Sequence, residues 1–130
     1  MADAVTARTT YSGRYVVRHL TNISDSTGES AVIKADVSTF TTRAGVPATY
    51  FTVDKIVYDI QGFDGVRLYF DATTDDELAL ISGSGELDWS AFGGITDPKS
   101  AGTTGDIKLT TAGAASGATY DITLYLRPKA

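Results

Sequence analysis

Four carboxylates, Asp71, Asp75, Asp76 and Glu77, crowd into the DATTDDE stretch, and hard oxygen ligands at that density are what a calcium ion takes. The run lacks the regular ligand positions and central glycine of a calcium-binding hand, and a solvated turn between two strands explains it equally well. Asp25 and Glu29, in the turn SDSTGES, are read as turn residues whose side chains bond their own backbone. Two carboxyls could also flank a glycosidic bond, but that chemistry needs a separation of roughly 5 to 9 Å and a substrate platform. With one tryptophan, Trp89, the chain has no repeated-Trp platform.

The other common catalytic groups are scarce. A lone histidine, His19, leaves a His-based zinc site and a Ser-His-Asp triad without partners. It falls in an alternating stretch, where a packed or surface imidazole is the simpler reading. The absence of cysteine excludes disulfides, thiolate metal sites and thiol nucleophiles, and suits a reducing compartment. The glycines of SGSGE and GGITDPKSAGTTG neither follow a strand nor open a helix, as a phosphate-binding loop would. The sequence therefore assigns no catalytic residue, no metal ligand and no cofactor.

What remains is contact chemistry. Trp89 and Phe92 could form a sugar-stacking or protein-contact patch, or plug one end of the fold. Tyr11, Tyr50, Tyr58, Tyr69 and Tyr125 stand out as a group, because tyrosine is enriched where one protein surface covers another. Half-buried strand tyrosines are the competing account.

The elements that must position these residues are strands. Apolar residues recur with period two, and Thr, Val, Ile and Tyr fill most of the periodic places. Residues 14–23 place Tyr15, Val17 and His19 on one face and Val16, Arg18 and Leu20 on the other. Residues 31–37 alternate Ala31, Ile33, Ala35 and Val37 with outward Lys34 and Asp36. Residues 50–60 set Phe51, Val53 and Val57 against Ile56, Tyr58 and Ile60. Two partly apolar faces predict a central strand, or one covered by an oligomer contact. The turn QGFDG leads to a hairpin partner with Val66, Leu68 and Phe70 inward, and the apolar run 78–81 fits a buried strand. Residues 87–104 read as an ordered loop pinned by Trp89 and Phe92. A short strand begins at Ile107, and residues 120–126 give the strongest alternation of all.

About seven or eight short strands with turn signals between them predict an all-β fold, a single-domain antiparallel β-sandwich, with the jelly roll as one form it can take. The 130 residues suffice for one such core over 11–130. Residues 1–10 show no apolar alternation, which predicts a flexible N-terminal arm. The opening MADAVTARTT has no secretory pattern, and no apolar run approaches the roughly 18 residues of a membrane helix. The formal charge is −5 and the basic residues are scattered singly, which argues against nucleic acid as a partner.

The phrases LTNISDSTGESAVIKADVS, VDKIVYDIQGFDGVRLYFDATTDD and TTGDIKLTTAGAASGATYDITLYLRPKA resemble a family of small tailed-bacteriophage virion structural proteins. The resemblance runs from Leu20 to the C-terminus, and its most specific pieces are TNISD-x-TGES, LYFDATTD and TGDI followed by YDITL. It implies a capsid decoration, or cement, protein, made in the host cytoplasm and carried on the outer capsid surface. The implied partners are the major capsid protein and further copies of the chain, as a dimer or trimer. The arm, with Ala2, Asp3, Val5 and Arg8 and adjoined by Tyr11, is expected to order on the shell. The 50–60 strand, with Tyr50, Ile56 and Tyr58, is the expected contact between copies. A tail, connector or fibre-associated virion protein is the alternative placement, and a carbohydrate-binding adhesion module using Trp89 and Phe92 is the alternative of a different class.

Overall fold

A computed structural model of the chain describes residues 3–12 and 15–130. Among the described residues ten strands make two antiparallel sheets: β1 (Ala4–Ser12), β2 (Tyr15–Asp25), β3 (Val32–Ala35), β4 (Tyr50–Gln61), β5 (Gly65–Phe70), β6 (Asp76–Ile81), β7 (Ser84–Asp88), β8 (Ile95–Thr96), β9 (Ile107–Ala112) and β10 (Ser116–Lys129). The larger sheet runs β1-β2-β10-β4-β7, with the short β8 also on β4, and the smaller runs β3-β9-β5-β6. The alternation of the sequence supplies the core between them. Val16, Leu20, Tyr120, Ile122, Leu124 and Leu126 point inward from β2 and β10, and meet Val66, Leu68, Phe70, Ile107 and Leu109 of the smaller sheet. Aromatic edges lock the ends of this layer, with Phe40 against Phe51 at 5.4 Å and Phe63 against Tyr120 at 6.0 Å between ring centroids.

The pairings nest. β5 pairs β6, β4 pairs β7, β3 pairs β9 and β2 pairs β10, so eight strands form one long hairpin rolled into two four-stranded sheets, which is the jelly-roll arrangement. β1 stands outside the nest as an extra strand on the β2 edge.

Four expectations change. The segment expected as a flexible arm is strand β1 from Ala4 onward, paired residue for residue with β2 from Ala4↔Ile23 to Ser12↔Tyr15. Backbone hydrogen bonding needs no apolar alternation, and the Thr-rich strand is exposed on both faces, so its composition hid it. The second correction concerns β4, which has one apolar face and not two. Its register against β10 jumps from Tyr125↔Lys55 to Leu126↔Val53, leaving Asp54 as the extra residue of a β-bulge. The bulge inverts the parity, so Phe51 and Val53 before it and Ile56 and Ile60 after it all face the same core. Third, Lys34 is buried instead of outward, because β3 changes register between Ile33 and Ala35. Last, the 87–104 stretch contributes the end of β7, a 3-10 turn at Ser90–Phe92 and β8.

Candidate functional site

The outer face of the larger sheet spans its six described strands. Opposed residues run across it in rows: His19 and Thr123 with Val57, then Val17 and Tyr125 with Lys55, and Lys55 in turn with Asp88. Around the last row lies an open groove of about 230 Å³ lined by Tyr15, Asp54, Lys55, Asp88, Ser90 and Tyr125. Tyr15 meets Tyr125 edge-on at 6.0 Å, and the Lys55 ammonium stands 5.4 Å from the Tyr125 ring centroid and 3.5 Å from Glu86.

The floor of the groove is the β4 bulge. Asp54, 1% exposed, accepts two hydrogen bonds on Oδ1 from Arg127, from Nε at 3.1 Å and Nη2 at 2.9 Å. Its carbonyl takes the Trp89 N–H at 2.8 Å, and Arg127 also donates to the Gly93 carbonyl. Gly94, at φ 85, lets the chain pass directly over the bulge: a Cβ there would lie 2.3 Å from Asp54 Oδ1. The rim is set by Asp88, whose Oδ1 accepts from the Ser90 hydroxyl at 2.6 Å and the Ser90 N–H at 2.9 Å. Those two bonds hold its carboxyl below the usual carboxylate range. The groove thus offers a ring face, an ammonium and a carboxylate to whatever covers it.

A second polar cluster, buried at one end between the sheets, joins Asp3, Asn22, Glu29, Lys34 and Tyr120. Lys34 Nζ meets Glu29 Oε2 at 2.5 Å with the two side chains 4% and 7% exposed. Glu29 Oε1 accepts from Asn22 Nδ2 at 2.8 Å and from the Tyr120 hydroxyl. Burial, and then the neighbouring Glu29, push the Tyr120 phenol far above its ordinary value. Asp3 accepts from Asn22 at 3.0 Å, Ser24 Oγ at 2.9 Å and the Gly28 and Asp25 N–H groups. Its carboxyl is opposed by burial but held low by these four donors. This cluster fixes the 24–30 turn against β10 and the start of β1.

The residues singled out from the sequence scatter over this frame. Ala2 lies outside the described residues. Asp3 belongs to the buried cluster, while Val5 (45% exposed) and Tyr11 (71%) stand on the inner side of β1. Arg8 is exposed and pairs in register with His19, whose Nε2 lies 2.7 Å from Asp121 Oδ1. Tyr50 is half-buried with the Lys99 ammonium 4.3 Å from its ring centroid. Ile56 is fully buried, so it is core and not a contact residue, a consequence of the bulge. Tyr58 packs on the core, its hydroxyl end lying where a Cβ on Gly85 would sit. Trp89 turns in against the core and Phe92, 83% exposed, turns out, so the two rings do not form one platform. Tyr69 is buried at 2% exposure, its ring covered by the Arg67 guanidinium at 4.2 Å and its hydroxyl 3.1 Å from Thr110 Oγ1.

The carboxylates of the DATTDDE stretch take separate partners, Asp71 to Lys108 at 3.2 Å, Glu77 to Arg67 at 2.5 Å and Asp75 to the Ala72 N–H at 3.2 Å, although the Asp71 and Asp75 side chains also stand within hydrogen-bond reach of each other. Among the described residues no group of three or more histidine or acidic side chains converges to hold a metal ion. Sequence reasoning missed Lys55, Asp88 and Ser90, which line the groove with Tyr15 and Tyr125, and Arg127, which holds Asp54 at its floor. The available signal was the change of apolar parity between Val53 and Ile56, which marks the bulge they gather around.

Comparison with protein-family models finds no match, and neither does comparison with curated proteins.

Proposed function

We propose that the chain is a non-enzymatic structural protein of a tailed-phage virion that binds the outer capsid surface and cements the lattice of the major capsid protein. The observation that best supports this reading is where the exposed apolar side chains lie. Six of them gather on two flanks, Val5, Tyr11, Val32 and Ile33 by β1 and β3 and Leu80 of β6 and Phe92 after β7 on the opposite side, while Ile23 and Val57 stand on the outer face of the larger sheet and Val46 in the loop before β4. A protein that bridges neighbours needs purchase on two sides, and many copies on one lattice make modest single contacts strong in total. The resemblance of residues 20–130 to phage virion structural proteins supplies the setting. Jelly-roll sandwiches serve in viral capsids and in lectins, so the fold alone is analogy and the surface carries the argument. The −5 charge suits a position away from packaged genome.

Heating purified particles with and without the protein tests this: bound protein raises the rupture temperature, and an unchanged temperature, or absence of the protein from heads, overturns the reading. Copy number per particle in the same preparation separates a lattice protein from a tail or connector part. The carbohydrate reading is disfavoured by the opposed directions of Trp89 and Phe92.

A further inference from the structure

Five described strands lie at the edges of the two sheets, and four of them are blunted, the two-residue β8 by its length alone. β3 has four residues, a register shift, and its Lys34 carbonyl taken by Arg18 Nε at 2.8 Å. β6 shifts register against β5 and opens on Asp76 and Glu77. β7 has five residues and carries Gly85, Glu86 and Asp88. Short, irregular and charged edges are how sheets avoid pairing with other chains. β1 has none of these devices. It runs nine residues in unbroken register, without proline or lysine and with a single charge, Arg8. Both its faces are wet, and no described strand pairs with its outer edge.

We propose that this edge pairs antiparallel with β1 of a second copy across a twofold axis, joining the two larger sheets into one. A strand paired with itself must oppose residues of the same face, so each allowed register centres on one residue. Centring on Arg8 would oppose two guanidinium groups, which destabilises a pair. Centring on Ala7 sets Thr6 against Arg8, Val5 against Thr9 and Ala4 against Thr10, and uses seven of the nine residues of the strand, 4–10, with no like charges opposed. Opposing these seven residues exchanges about six to eight backbone hydrogen bonds, within the range an ordinary complete interface carries. It also covers Val5, now 45% exposed. The inference goes beyond the capsid reading and does not depend on it.

Sedimentation velocity of the full chain over a concentration series is the test. The wild type forms a dimer, while Ala7→Lys and Ala7→Glu, each opposing like charges at the axis, shift to monomer with dissociation constants at least about tenfold higher. Mixing the two variants restores the dimer, which only folded chains can do. Leu80→Lys on the opposite flank leaves the dimer as it is. A wild type that stays monomeric at every concentration overturns the proposal. So does a dimer that persists in either Ala7 variant, one that mixing fails to restore, or one that Leu80→Lys abolishes.

Discussion

β1 and β3 lie on the same flank of the sandwich, one ending each sheet, and they solve the problem of a sheet edge in opposite ways. β3 closes its edge. It is short, it buckles at Lys34, and the buckle turns that side chain inward to a buried carboxylate while Arg18 occupies the carbonyl. β1 is long, regular and almost uncharged, and it stays open. The difference teaches that irregularity can be protective: the register shift that makes β3 a poor strand also removes it as a template.

The largest effect comes from breaking the device that closes β3. Lys34→Met strands Glu29 in a nearly dry site, and leaving one partner of a buried pair uncompensated costs about 3 to 5 kcal/mol. The urea midpoint should fall accordingly, and the double variant Lys34→Met with Glu29→Gln should recover part of the loss. Arg18→Ala is milder. It removes the donor to the Lys34 carbonyl and to Thr9 Oγ1, with an expected loss of about 1 to 3 kcal/mol in the same experiment. The smallest effect sharpens the β1 side. Asp3 has a lowered pKa, so the stability it adds is present above its ordinary value of 3.8 and fades as pH falls through the lower folded value. Amides of β1 should therefore exchange faster in Asp3→Asn than in the wild type at neutral pH, and the gap should close in acid.

Much of the architecture was legible because period two writes core and solvent directly onto a strand. Tyr120, Ile122, Leu124 and Leu126 all lie inside, where their alternation puts them. The reading failed where that period is interrupted or irrelevant. At Asp54 one inserted residue exchanges the faces of β4, so Ile56 read as surface is core. At Lys34 a similar shift buries a charge. Along β1 neither face is covered by the other sheet, so no apolar pattern was there to read. The polar cluster was illegible for a further reason: Glu29 and Tyr120 meet across 91 residues of chain, and local pattern holds no information about such a meeting.

The rolled hairpin also sets an order in time. Contacts between its paired strands span 10 residues for Arg67 with Glu77, 25 for Ser84 with Asp59, 79 for Ala31 with Thr110 and 102 for His19 with Asp121. Closing the outermost loop from an open chain carries the greatest entropic cost, but each inner pair that forms shortens the stretch still to be closed. The chain therefore has reason to zip from the β5–β6 tip outward, at the millisecond-to-second pace of folds dominated by distant partners. Until β10 arrives, β2 and β4 are themselves open edges, and the vulnerable period of this protein is the interval before its tenth strand is made.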